Sequence, residues 1–176
     1  MEPDGNTTVL YDEIDGKPIG KVNFVLRDSK DRLWLTVSTR IKNWMEAISP
    51  NVSDGFIAMA DDKGLRVMTD SLSFTNEIRF DANEEYLYIV ETCGQRISRM
   101  KVAEDGTLSQ REVFGPTQLG SGGFPDGIAF DSHGNLWGTL VMSDQIFAIT
   151  PEGDYRVILD DRVAETEQAL EKAFRA

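Results

Sequence analysis

Cysteine and histidine are nearly absent from this chain: its 176 residues hold one of each, Cys93 and His133. A lone cysteine excludes an internal disulfide and a thiolate metal cluster. One histidine gives almost no support to a Ser-His-Asp or Cys-His mechanism. Cys93 lies in Glu91-Thr92-Cys93-Gly94-Gln95, which reads as the turn after a strand, so an inert thiol is expected there. His133 lies in the polar turn Asp131-Ser132-His133-Gly134-Asn135, where an exposed position is expected. Long apolar runs are missing too. Nothing approaches the ~18 residues of a membrane span, and no signal-peptide pattern opens the sequence. The expectation is a cytoplasmic protein without membrane contacts. Positive charge is also scarce, with 18 Lys and Arg against 30 Asp and Glu and a formal net charge of −12. Such a surface repels phosphate backbones, which argues against nucleic acid as a partner. It suits a pocket that attracts a cation, and equally a solvated surface kept soluble.

What the chain does have is repetition. Val22-Asn23-Phe24-Val25-Leu26-Arg27-Asp28 runs to Leu33-Trp34, Thr75-Asn76-Glu77-Ile78-Arg79-Phe80-Asp81 to Leu87-Tyr88, and Pro125-Asp126-Gly127-Ile128-Ala129-Phe130-Asp131 to Leu136-Trp137. Asn23 and Asn76 are 53 residues apart, Asn76 and Asp126 50. Short β-type segments at that period point to propeller blades, of which a complete ring has about four to eight. At about 50 residues per blade the chain holds roughly three and a half. Repeats related by rotation place equivalent residues around one channel mouth, so Asn23, Asn76 and Asp126 are expected in an oxygen-rich ring.

The remaining segments are consistent with that reading. Residues 1–8 are turn formers without periodicity, a ragged edge. Residues 9–159 carry the blades, beginning with Val9-Leu10-Tyr11, the Asp15-Gly16 turn and Lys17-Pro18-Ile19 as an outer hairpin. Residues 38–53 read as a top-face loop with one helical turn, a length at which loops are often functional. Outer hairpins recur with glycine at the turns Asp61-Asp62-Lys63-Gly64, Glu104-Asp105-Gly106 and Pro151-Glu152-Gly153, where positive φ is required. Residues 115–123 read as a connecting loop. From 160 to 176 the pattern becomes that of a short amphipathic C-terminal helix, with Asp160 or Asp161 as cap and Val163, Leu170 and Phe174 on one face.

Amide oxygens and carboxylates are the ligands that hard divalent cations prefer, although Asn and Asp at strand starts also cap turns through their own side chains. The Asn23 segment with Asp28 and Leu33-Trp34, the Asn76 segment running to Glu91-Thr92, and above all Pro125-Asp126-Gly127 with Gly134-Asn135-Leu136-Trp137 resemble the gluconolactonase/regucalcin family. The resemblance covers most of residues 9–160. It implies an all-β fold, here an incomplete six-bladed β-propeller, and metal-dependent hydrolysis of a sugar-type or related lactone. Carried over by position, it implies Asn76 and Asp126 as metal ligands, Asp126 also as catalytic base, and Asn23 and Lys21 as substrate-binding residues. The implied cofactor is a divalent metal, Ca2+ first, with Zn2+ or Mg2+ as alternatives. Two departures stand out. Glu77 occupies the position of a usual Gly, and no residue matches the family's metal-binding Glu, because the chain begins later than the blade that carries it. Missing blades leave open edges, so a homo-oligomer joined through them is expected, with impaired catalysis. Two alternatives are a noncatalytic fragment for binding or assembly and a strictosidine synthase-like propeller, which shares the Asn76 and Pro-Asp features.

Overall fold

The computed structural model describes residues 4–120, 123–165 and 168. Antiparallel strands dominate it, arranged as one two-stranded ribbon and three four-stranded sheets. The ribbon joins β1 (Glu13–Ile14) to β2 (Lys17–Pro18). Its turn places both Asp15 and Gly16 at positive φ, as a tight hairpin requires. Val9-Leu10-Tyr11, expected inside this hairpin, lies outside it and is exposed. The ladder ends at Glu13↔Pro18, so these three residues have no strand to pair with, and apolar content alone does not make a strand.

The first full sheet contains β3 (Val22–Arg27), β4 (Leu33–Val37), β5 (Gly55–Asp61) and β6 (Gly64–Leu72). The second contains β7 (Thr75–Phe80), β8 (Tyr86–Glu91), β9 (Arg96–Lys101) and β10 (Glu112–Phe114). The third contains β11 (Phe124–Phe130), β12 (Leu136–Val141), β13 (Gln145–Ile149) and β14 (Tyr155–Asp160). Within each sheet the strands pair in chain order, and the first strand β7 of the middle sheet lies against the first strands β3 and β11 of the other two. That is the arrangement of consecutive propeller blades around an axis. The all-β, three-and-a-half-blade reading therefore holds.

Side-chain alternation explains how the blades stack. Successive strand residues point to opposite faces, and every residue of β8 from Leu87 onward is buried. Leu87 and Ile89 enter a core with Trp34, Ile57, Leu72 and Ile78 of the first two blades. Tyr88 and Val90 face the other way, into a core with Ile128, Leu136, Leu140 and Phe147 of the third. A smaller core seats the ribbon, through Ile14 and Ile19, on Leu35, Val37 and Phe56. β12 instead alternates buried and exposed residues. Trp137, Val141, Ile146 and Leu159 are exposed. Register places Thr139 opposite Ile146 and Ile146 opposite Leu159, so one apolar face of the third blade lies open.

The acid and tryptophan shared by two repeats form a turn clamp. Asp28 accepts bonds from the Lys30 and Arg32 backbone N–H groups and, at 2.8 Å, from the Trp34 indole. Asp131 likewise takes the N–H groups of His133 and Asn135 and the Trp137 indole at 2.9 Å. His133 is exposed on this turn and Cys93 is buried beside Ala47 and Phe74. Burial raises the Cys93 thiol above its ordinary pKa, which keeps it unreactive.

The loop after β4 carries its helical turn as a 3-10 helix at Trp44–Ala47. Asp160, offered as a helix cap, instead ends β14 and binds Arg162 and Gln145. Leu170 and Phe174 of the expected terminal helix lie outside the described residues. Among the described residues, no helix is long and apolar enough to cross a membrane.

Candidate functional site

Asn23, Asn76 and Asp126 each sit one residue after the start of a strand or two, on β3, β7 and β11, and each lies at a register irregularity. The ladders shift between Val22 and Phe24, between Thr75 and Ile78, and between Pro125 and Ile128. A bulge removes a residue from the ladder and re-aims its side chain. The backbone N–H groups that lose ladder partners are recovered locally. Phe24 donates to Thr36 Oγ1 at 3.0 Å, and Gly127 to Thr139 Oγ1 at 3.3 Å.

The bulged side chains are joined across the blades. Asn23 Nδ2 donates to Ser38 Oγ at 3.2 Å, and that hydroxyl donates to the Thr75 carbonyl at 2.9 Å. The pattern repeats in the next blade. Asn76 Nδ2 donates to Thr92 Oγ1 at 3.2 Å, and Thr92 donates to the Pro125 carbonyl at 2.8 Å. The Asn76 amide also donates directly to Asp126 Oδ1. Asn76 and Asp126 are thus in contact and half-buried, whereas Asn23 is exposed and linked to them through Ser38 and the backbone preceding Asn76. Gly55 is required beside this chain of bonds. A Cβ there would lie 2.6 Å from Thr75 Oγ1 and 2.9 Å from the Ser38 carbonyl, closer than atoms can pack.

Lys21, two residues before Asn23, holds its ammonium 4.9 Å from the centre of the Trp44 ring, a cation–π contact. It therefore rests against the 3-10 turn in the loop after β4. Glu77 neighbours the pair on the other side. It bonds Arg79 and accepts the Ile128 N–H at 3.1 Å, tying the second blade to the third. The bulky acid that replaces a usual glycine thus has a structural role at a blade junction.

As a cation site, the Asn76–Asp126 pair offers oxygens only. Among the described residues no three His, Cys, Asp or Glu side chains gather as a metal centre. One amide oxygen and one carboxylate suit a hard cation that completes its shell with water. They do not suit a soft metal that needs thiolate or imidazole. A recess of about 450 Å³ lies at the opposite end of the strands, lined by Lys30, Arg32, Asp61, Lys63, Glu104 and Asp105 among others. Its charges compensate one another, with Lys30 paired to the Glu104 carboxylate at 3.7 Å and Arg66 to Asp61. It is not continuous with the bulged residues.

Sequence reasoning did not anticipate the two hydroxyls or the role of Glu91. Ser38 and Thr92 carry a signal in their offset, 15 residues after Asn23 and 16 after Asn76. Glu91 is fully buried, paired with Arg96, and accepts bonds from the Ser98 hydroxyl and the Ser73 N–H. Burial would raise its pKa, but these partners and Arg111 hold it below the ordinary glutamate value.

The SMP-30/Gluconolactonase/LRE-like region matches residues 2–163. A 6-deoxy-6-sulfogluconolactonase of Pseudomonas putida is 29% identical over 96 residues, which are 54% of this chain and 32% of that protein. An uncharacterized protein of Sulfolobus acidocaldarius is 34% identical over 98 residues, 55% of this chain and 35% of the relative. The chain thus matches about a third of the length of these relatives. Among solved structures, a gluconolactonase from Xanthomonas campestris superposes with a TM-score of 0.72 at 21% identity, covering 90% of this chain and 53% of that one. Regucalcin from Agrobacterium tumefaciens, a calcium-binding protein, gives 0.64 at 20%, covering 77% and 43%. At such identities the superpositions establish the fold. The match over residues 2–163, with the blade order and bulged inner strands, places this chain in the SMP-30/gluconolactonase/LRE-like family.

Proposed function

We propose that this chain carries the catalytic side of a metal-dependent lactone hydrolysis. The observation that carries the reading is the contact of Asn76 with Asp126 at equivalent bulges of adjacent blades, in a chain of a lactonase-containing family. Asn76 and Asp126 would hold the cation, Ca2+ first by the all-oxygen donor set, with Mg2+ or Zn2+ as alternatives. Bound there, a divalent cation supplies positive charge against the charge that develops on a lactone carbonyl oxygen. Asp126 takes a proton from the attacking water as its oxygen bonds to the carbonyl carbon. The ring C–O bond then breaks, and Asp126 returns the proton to the departing ring oxygen, leaving a hydroxy acid. Asn23, exposed at the mouth, orients substrate hydroxyls. Lys21 adds a cationic donor beside them.

The test is hydrolysis of glucono-δ-lactone by the chain with each of Ca2+, Mg2+ and Zn2+, followed by pH-stat, alongside the substitution Asp126→Asn. Metal-stimulated turnover lost in Asp126→Asn supports the reading; rates equal to the uncatalysed background with all three ions overturn it. The open face of the third blade favours a second reading, a noncatalytic module that assembles through that face. Association without metal binding distinguishes it.

A further inference from the structure

We infer that Thr92 is a positioning residue that fixes which end of the Asn76 amide faces a bound cation, an inference that rests on the metal reading above. A carboxamide has two unlike ends, and only its oxygen can ligate a cation. Asn76 is flanked by two groups that force the nitrogen inward. The single hydroxyl proton of Thr92 goes to the Pro125 carbonyl at 2.8 Å, so its oxygen can only accept from Asn76. Asp126, as a carboxylate, also only accepts. With Nδ2 committed to both, Oδ1 is the end left to ligate.

The repeat supplies an internal control. Residues preceding the bulged side chains pair as Val22↔Val37, Thr75↔Glu91 and Pro125↔Leu140. The next residues are therefore equivalent: Ser38, Thr92 and Val141. Hydroxyls stand behind the two asparagines, and Ser38 makes the same pair of bonds as Thr92. Behind Asp126 stands Val141, which has no hydroxyl. A carboxylate has two like oxygens and needs no such lock, so the hydroxyl occurs where an amide needs orienting and not where a carboxylate stands.

The experiment compares the parent chain with Thr92→Val, Thr92→Ser and Val141→Thr by calorimetric titration with Ca2+. Removing a group that orients a ligand costs about 10–100-fold in metal affinity. That loss is expected for Thr92→Val, with recovery in Thr92→Ser and no change in Val141→Thr. A second cycle repeats Thr92→Val in an Asn76→Asp background, where the ligand is symmetric and the valine should cost nothing further. Equal affinity of Thr92→Val and the parent overturns the inference, as does an equal loss in both backgrounds, which would mean a merely structural threonine. A parent chain that binds no Ca2+, Mg2+ or Zn2+ at millimolar concentration overturns the metal reading itself, and this inference with it. Side-chain amide NMR of the metal-free parent keeps the test standing if Thr92→Val does not fold. Asn76 Nδ2 protons in contact with Thr92 and Asp126 are expected, and their absence overturns the orientation.

Discussion

Asp126 differs from Asn23 and Asn76 in carrying formal charge, and hard cations gain most from a carboxylate. Asp126→Ala should therefore weaken Ca2+ binding by about tenfold or more, while Asn23→Ala changes it little. Titration calorimetry on both variants checks this, and equal losses would remove the assignment. Glu91 gives a prediction of another kind. Its folded pKa lies below its unfolded value, near the ordinary 4.5. A depressed carboxylate contributes stability that is fully present above the unfolded value and is lost as pH falls through the folded one. Thermal melts should therefore lose stability on acidification below about 4.5. Glu91→Gln should flatten that dependence and cost about 1–3 kcal/mol at neutral pH, because Arg96 and the Ser73 N–H lose their charged acceptor. At this scale the sequence was partly legible. Asn23, Asn76 and Asp126 were visible because they open a repeated phrase, and Asp28 and Asp131 belonged to the same phrase. Ser38, Thr92 and Glu91 were not, since a hydroxyl or acid at a strand end is ordinary until register shows what it faces.

The middle blade carries the argument from elements. β8 reads as an unbroken apolar run, and unbroken runs belong to strands covered on both faces. β12 alternates, as a strand covered on one face does. Ile89→Ala on β8 removes a fully buried side chain from the core between the first two blades. It should cost about 2–5 kcal/mol in urea unfolding. At protein concentrations where the chain is monomeric, Ile146→Ala on β13, whose side chain is exposed, should fall within about 0.5 kcal/mol of the parent. Comparable losses under those dilute conditions would mean that Ile146 is covered within the monomer itself. Hairpin turns were legible where glycine takes the positive φ, as at Gly64, Gly106 and Gly153, and strand order followed from the repeat. The bulges were not legible, nor was the short β10. Val9-Leu10-Tyr11 was misread because pairing depends on neighbours that composition does not reveal.

For the molecule as a whole, the repeat length set the blade count, and the ribbon with three four-stranded sheets agrees with it. What the repeat could not convey is how unequal the two faces of a terminal blade are. Trp137, Val141, Ile146 and Leu159 are exposed around Thr139 on the side of the third blade turned away from the second. Several large apolar side chains exposed on one face favour association. The corresponding faces of the inner blades are filled by their neighbours. In the isolated chain, a second copy offers the same apolar surface, so self-association through this face is the expected outcome. Light scattering coupled to size exclusion should show a mass that rises with protein concentration. The double substitution Ile146→Lys and Leu159→Lys, at exposed and directly paired positions, should return it to that of a monomer while keeping the melting temperature of the dilute, monomeric parent. The charged pair adds repulsion between copies while leaving the buried side of β13 untouched. A concentration-independent monomer in the parent chain would show that this face needs no partner, and an oligomer unaffected by the two lysines would place the contact elsewhere.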